Sequence, residues 1–256
     1  MLATRVVKLG GNELDRPEWL AQCAGALKRV EPLVVVHGGG RAITTWSTRL
    51  ALPVEKRDGL RVTSPELAEV VEMVLAGPVN RQVVTALRAA GLDAIGLSGA
   101  DGGLLVARPA PGELGHVGEI TAVRTALLES LLLAGLTPVV APVAPDGSAP
   151  AGAVPLNVNA DQAAAAVAGA LGAAELLFVS DVPGVVVGGV TQPELVATEI
   201  EGLIAAGTAR DGMAAKLRAA RAALLAGARA VRIGDLTLLD RSSAGTRVLA
   251  AVTQPA

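Results

Sequence analysis

Thr4-Arg5-Val6-Val7-Lys8-Leu9-Gly10-Gly11-Asn12 and Leu33-Val34-Val35-Val36-His37-Gly38-Gly39-Gly40 are two β-branched apolar runs, each ending abruptly in consecutive glycines. A short continuous apolar run suits a strand buried on both faces, and each of these is followed by a longer stretch of helical period. The alternation continues along the chain. Further strands are expected at Asp93 to Leu97, Thr137 to Ala141, Glu175 to Ser180 and Ala230 to Ile233. Helices are expected at Pro17 to Val30, Arg41 to Ala51, Pro65 to Leu75, Val79 to Ala90, Thr121 to Ala134, Ala160 to Leu171, Pro193 to Ala205 and Gly212 to Leu225. The pattern predicts an α/β fold in which an open, largely parallel sheet is sandwiched between helix layers.

Several boundaries carry their own chemistry. Ser64 before Pro65 reads as an N-cap with proline at the first helical position, and Gly91 and Gly135 stand where left-handed helix terminators belong. Asp58-Gly59, between Pro53-Val54-Glu55-Lys56 and Leu60-Arg61-Val62-Thr63, predicts a β-hairpin that projects from the alternating pattern. The Pro/Gly-rich stretches Pro109 to Gly115 and Pro142 to Pro155 are expected to be surface loops.

Composition narrows the partners. With 256 residues, 51% of them hydrophobic, the chain can bury a sizeable core without disulfides or metals. A formal net charge of -2 without a basic block gives no footprint for nucleic acid or an anionic membrane, so small molecules are the expected ligands. Cys23 is the only cysteine, which suits a reducing cytoplasm and a buried place in a helix. Apolar stretches such as Ala122 to Thr137 are broken by Arg124, Glu129 and Gly135, too soon for a membrane span, and Arg5 and Lys8 fall where a signal peptide would need apolar residues.

Glycines between a strand's carboxyl end and a helix's amino end leave N–H groups open to an anion and let its oxygens approach. Either glycine run alone is equally a tight βα turn; two on adjacent early strands favour one phosphate-sized cradle. Lys8, at the end of a buried strand, is a phosphate ligand or a lysine snorkelling at the sheet edge. Asn157-Val158-Asn159-Ala160-Asp161 opens a helix, and capping explains one asparagine but not both. Asp211-Gly212-Met213-Ala214-Ala215-Lys216 sets a lysine near a helix start, against the dipole unless an anion binds there. Ser180-Asp181-Val182-Pro183-Gly184 reads either as an Asx turn or as a nucleotide contact. His37 and His116 have no cysteine or histidine partner at ligand spacing, so no protein metal site is expected.

Taken in order, Lys8-x-Gly10-Gly11, His37-Gly38-Gly39-Gly40, Gly59-Leu60-Arg61-Val62-Thr63, Asn157-x-Asn159-Ala160-Asp161, Asp181-Val182-Pro183-Gly184 and Gly212-Met213-x-x-Lys216 closely resemble the acetylglutamate kinases of the amino-acid kinase family. Gly96-Leu97-Ser98-Gly99, Glu113 to Gly118 and Gly245-Thr246-Arg247 extend the likeness over nearly the whole chain. The resemblance implies an amino-terminal lobe, residues 1–172, for N-acetyl-L-glutamate and a carboxy-terminal lobe, 173–256, for ATP with Mg²⁺, both on one open sheet. By matching motif it implies that Lys8 and Lys216 stabilise the transferring phosphoryl group, that Asp161 positions the two lysines, and that Gly11 and Gly39 donate N–H groups. It also implies that Gly40, Arg61 and Asn157 hold the substrate, with the hairpin as a lid. Asp181, Val182, Pro183, Gly184, Val185 and Val186, with Thr208, Ala209 and Arg210, would frame the nucleotide.

Related kinases that act on aminoadipate or glutamate attached to a carrier protein are the nearest alternative, and Gly40 and Ala160 favour the free acetylated amino acid. A catalytically silent sensor on the same fold is a further alternative, disfavoured by the joint presence of Lys8, Asp161 and Lys216. The first strand begins near Thr4, without the amino-terminal helix that links dimers into a ring in arginine-inhibited members, so the resemblance implies an arginine-insensitive homodimer. The helices from Pro65 and Val79 are its expected interface.

Overall fold

Val6 and Val7 point to opposite sides of the strand Arg5–Leu9 (β1), and that two-residue alternation divides the protein into two cores. The computed structural model describes residues 3–57 and 59–250. The strands that join β1 in the main sheet are Leu33–His37 (β2), Ala94–Ser98 (β3), Thr137–Ala141 (β4), Glu175–Val179 (β5), Glu194–Val196 (β6), Val231–Gly234 (β7) and Thr246–Leu249 (β8). Among the described residues they form an eight-stranded sheet in the order β6-β8-β7-β5-β1-β2-β4-β3. All neighbours are parallel except β7 and β8, so the expected open, largely parallel sheet is present.

Helices cover both faces. Pro17–Leu27 (α1), Gly40–Arg49 (α2), Pro65–Val74 (α3) and Asn80–Ala89 (α4) pack on the face that carries Val7, Val35 and Leu177. Thr125–Leu133 (α5), Ala160–Ala170 (α6), Ile200–Ala205 (α7) and Asp211–Leu225 (α8) pack on the face of Val6, Val34 and Phe178. The expected caps are in place: Ser64 accepts from Leu67 N–H at 3.2 Å, and Asn159 accepts from Asp161 and Gln162 N–H at 2.9 and 3.2 Å. Gly91 and Gly135 lie in the left-handed region, where the following residues Leu92 and Leu136 return hydrogen bonds to Leu87 and Leu131. Cys23 is buried in α1, which also buries Trp19, while Trp46 lies half-buried on α2 under the Arg49 guanidinium.

Four expectations change. Pro109 to Gly115 is the expected surface loop after its first residue, but it joins two strands of a second, four-stranded sheet that runs Leu105–Pro109, Val117–Val123, Leu156–Val158, Val143–Ala144, and Pro142 to Pro155 is a surface loop only after Ala144. The sheet's members are short and broken by proline and glycine, yet Val143 and Ala144 are buried. Thr121–Val123 belongs to that sheet, so the helix expected from Thr121 starts at Thr125. The expected helix Pro193 to Ala205 opens as edge strand β6 and is helical in α7 only after a 3₁₀ turn over Ala197–Glu199. Leu75–Val79 forms a π turn that joins α3 to α4, with Gly77 out of helical conformation before Pro78.

The projecting hairpin pairs Lys56–Arg57 with Leu60–Arg61; Asp58 of its expected turn lies outside the described residues. Its returning strand is tied down, since Arg61 reaches back to α2 through the carbonyl of Gly40 and the hydroxyl of Thr44.

Candidate active site

Lys8 follows Val6 at the strand period, so its side chain emerges on the face covered by α6 and α8. There its Nζ meets Asp161 Oδ1 at 2.8 Å, and Lys216 Nζ meets Asp161 Oδ2 at 3.2 Å. Lys216 also sits 5.3 Å from the Phe178 ring centre. Each of the three side chains is 9% exposed. Two buried cations share one carboxylate in direct contact, with Glu13 acting on both at longer range, an arrangement that favours an anion against the two ammonium groups. The carboxyl of Asp161 is opposed by burial but held below its usual range by the charges of Lys8 and Lys216. Burial and the charge of Lys8 pull Lys216 below the usual lysine range.

The small side chains of α6 and α8 make this convergence possible. Ala164, Ala168, Ala220 and Ala223 are fully buried, and a Cβ on Gly169 would lie 2.4 Å from the Cβ of Ala226. The two helices therefore approach closely enough to bring Asp161 to Lys216.

The glycine loops at the ends of β1 and β2 touch. A Cβ on Gly11 would lie 2.5 Å from Gly39 N and 3.1 Å from Gly40 N, so only glycine leaves this space open. Gly10 and Gly38 spend their N–H groups on Val179 and Leu9 carbonyls, whereas among the described residues Gly11 and Gly39 N–H donate to no backbone carbonyl. His37 supports the loop from below: its Nδ1–H donates to Gly38 O at 2.8 Å while Nε2 accepts from Asn80 at 3.1 Å. Burial lowers its pKa to about 4, so the ring is neutral.

Arg61 and Asn157 face the same space. Nη2 of Arg61 is engaged by α2, but Nη1 is buried and has no partner among the described residues. Asn157 is not a cap; it lies in the strand Leu156–Val158, and the cap is Asn159.

Lys8, Gly11, Gly39, Gly40, Arg61, Asn157, Asp161, Asp181, Val182 and Lys216 thus line one cavity of about 390 Å³. The other residues expected at a nucleotide are not among those that line it. Val185 is in the core with its N–H on Thr246 Oγ1, Val186 stands in a small exposed hairpin with Thr191, and Gly184 packs on Thr246. Pro183 lies in the intervening turn, and Thr208, Ala209 and Arg210 form the turn before α8, with Arg210 holding Gly207 O.

Glu13 was not expected in the site. It is 4% exposed, lines the cavity, and its carboxyl is raised by burial, with the charge of Asp181 adding to the rise. Its one signal in the sequence is an acid two residues after an anion-ready glycine pair. Lys56, Ile43 and Leu75 also line it, without any such signal. No helix among the described residues is long and apolar enough to cross a membrane.

Comparison with known proteins extends these observations. The model of the amino acid kinase family matches residues 3–235. The acetylglutamate kinase of Chloroflexus aurantiacus is 49% identical over 96% of this chain and 97% of its own length. That of Geobacillus kaustophilus is 45% identical over 86% of this chain and 85% of its own. Among solved structures, smu.665 from Streptococcus mutans superposes with a TM-score of 0.84 at 29% identity, over 97% of this chain and 99% of that one. Carbamate kinase from Giardia lamblia, at 16% identity and a TM-score of 0.72 over 96% of this chain and 98% of its own, shares the fold.

Proposed function

The chain belongs to the amino acid kinase family, and within it to the acetylglutamate kinases, and from that premise we propose that it transfers the γ-phosphoryl group of ATP to the γ-carboxylate of N-acetyl-L-glutamate in cytoplasmic arginine biosynthesis. The observation that carries this reading is the buried Lys8-Asp161-Lys216 group, set in one cavity with a glycine cradle and an unpartnered guanidinium nitrogen.

A γ-carboxylate with a pKa of about 4.3 is ionised at neutral pH and needs no general base. Its oxygen forms a bond to the γ-phosphorus as the bond to the bridging oxygen breaks, and ADP leaves with that electron pair. What the protein supplies is alignment and relief of repulsion between two anions. Lys8 and Lys216 neutralise the transferring group, Asp161 sets their spacing, and Gly11 and Gly39 N–H donate to its oxygens. Arg61 Nη1 takes a substrate carboxylate, Asn157 the acylamino group, and Gly40 lines their pocket. Asp181 to Val186 and Thr208 to Arg210 border the nucleotide. On this reading, residues 1–172 hold the acceptor and 173–256 hold ATP. Mg²⁺ fits the donor set, because Glu13 and Asp181 both line the cavity and would hold it beside the phosphates. When bound it supplies neutralisation of phosphate charge.

Hydroxylamine trapping of the acyl phosphate tests the acceptor. Acetylglutamate should give hydroxamate faster than acetylaminoadipate, glutamate, aspartate or carbamate; a faster rate with any of these would overturn the assignment. Arg61→Ala should lose a charge-assisted contact of roughly 1.5–3 kcal/mol, seen as a raised KM for acetylglutamate with KM for ATP little changed. An unaltered KM for acetylglutamate would remove Arg61 from the site.

A homodimer is the proposed assembly. Most apolar side chains of α3 and α4 are spent on the protein's own core, but Met73 remains 47% exposed on α3. Light scattering at several concentrations should give twice the chain mass, and the mass of one chain throughout would exclude the dimer.

A further inference from the structure

Thr63 leaves the hairpin fully buried, and nothing in the transfer scheme uses it. Its hydroxyl has a single hydrogen, donated to Arg61 O at 2.7 Å. Toward Asn157 the same oxygen can therefore only accept, and it does so from Nδ2 at 3.1 Å. That arrangement decides which way the amide faces. Nδ2 is kept against Thr63 through one of its two hydrogens, and Oδ1 is the acceptor Asn157 has left to offer.

The backbone around this hydroxyl is clamped. Thr63 N–H donates to Leu114 O at 2.9 Å, His116 N–H donates to Thr63 O at 2.7 Å, and Asn157 N–H donates to His116 O at 2.9 Å. Gly115 closes the clamp in the left-handed region at φ 67°, where a Cβ would lie 2.2 Å from Thr63 O. Thr63 is thus fixed by backbone bonds on both sides, and its side chain is free to serve two residues that are far apart in sequence.

We propose that Thr63 is a positioning residue for the acceptor substrate. One hydroxyl holds the main chain of Arg61 and the amide of Asn157 together, so that a guanidinium donor and an amide carbonyl acceptor face the cavity at a set spacing. The ligand class this pair recognises is an α-acylamino carboxylate, whose carboxylate accepts and whose N–H donates. The inference rests on the acceptor assignment above and deepens it, by naming what keeps the two gripping groups in register.

The nearly isosteric Thr63→Val removes the hydroxyl and keeps the volume; Thr63→Ser restores it. In Thr63→Val, KM for acetylglutamate should rise about tenfold, with a smaller change in kcat and none in KM for ATP, and Thr63→Ser should recover most of the loss. A second readout needs no substrate: the side-chain amide resonances of Asn157, assigned by their absence in Asn157→Ala, should shift in Thr63→Val and return in Thr63→Ser. An unmoved Asn157 amide in Thr63→Val overturns the proposal. So does a loss shared equally between both substrates and accompanied by a lowered Tm, which would make Thr63 only structural. A wild type inactive toward acetylglutamate, combined with a displaced Asn157 amide, faults the acceptor and upholds the link.

Discussion

Lys216→Ala is expected to fold and to turn over about 10²-fold or more slowly than the wild type, the scale of losing a preorganised donor to transition-state charge. It folds because Asp161 keeps Lys8 at 2.8 Å, so no buried carboxylate is orphaned. It is slow because one of two cations facing the transferred group is gone while the cradle and the acceptor grip remain. The loss should fall on kcat rather than on KM for acetylglutamate. The wild type should also lose kcat/KM as pH rises through the pKa of Lys216 in the free enzyme, which burial and Lys8 hold below the ordinary lysine value. Lys8→Ala should behave alike. Turnover at the wild-type rate in a folded Lys216→Ala or Lys8→Ala protein would refute the mechanism.

Asp161→Ala should fail differently, losing stability as well as rate. Without the carboxylate, two ammonium groups share a pocket in which their side chains are 9% exposed, and removing one member of a buried charge group costs roughly 3–5 kcal/mol. The sign with pH follows from the carboxyl's depressed value. Its contribution is complete above the unfolded carboxyl pKa and is lost as pH falls through the folded one. Urea midpoints taken from pH 7 into the acid range should therefore converge for Asp161→Ala and the wild type. Equal midpoints at pH 7 would show that Asp161 does not hold the lysines.

The parallel sheet is legible because β2, β4 and β5 are short, mostly apolar runs rich in valine and leucine, and β1 departs from that only at Arg5 and Lys8. The second sheet is hidden because its strands are two to seven residues long and carry prolines and glycines, features shared with loops. Strands β6 and β8 are concealed differently: each is three or four residues long and mixes charge with valine and leucine, and only β6 stands at the sheet edge. In the site, Lys8 announces itself by the cost of burying an ammonium. Its union with Lys216 does not, because it depends on how closely an alanine face of α6 meets one of α8. Thr63 and Thr44 leave no local trace of their contacts, since a hydroxyl recruited across the fold has no periodicity to betray it.

Trp19 and Trp46 are the chain's only tryptophans, and it has no tyrosine. Both stand in the first fifty residues, on helices of the face opposite α6 and α8, and the helix of Trp46 begins at Gly40 on the cavity wall. Intrinsic tryptophan emission is therefore a label-free reporter confined to the helix layer opposite α6 and α8. Trp46, half-buried beneath Arg49, lies on the same helix as Gly40 and Ile43, which line the cavity, so its emission reports on the helix that starts at the glycine loop. The α8 side of the cavity contributes no tryptophan of its own, so a change in this emission on adding a ligand is read from the α2 side alone.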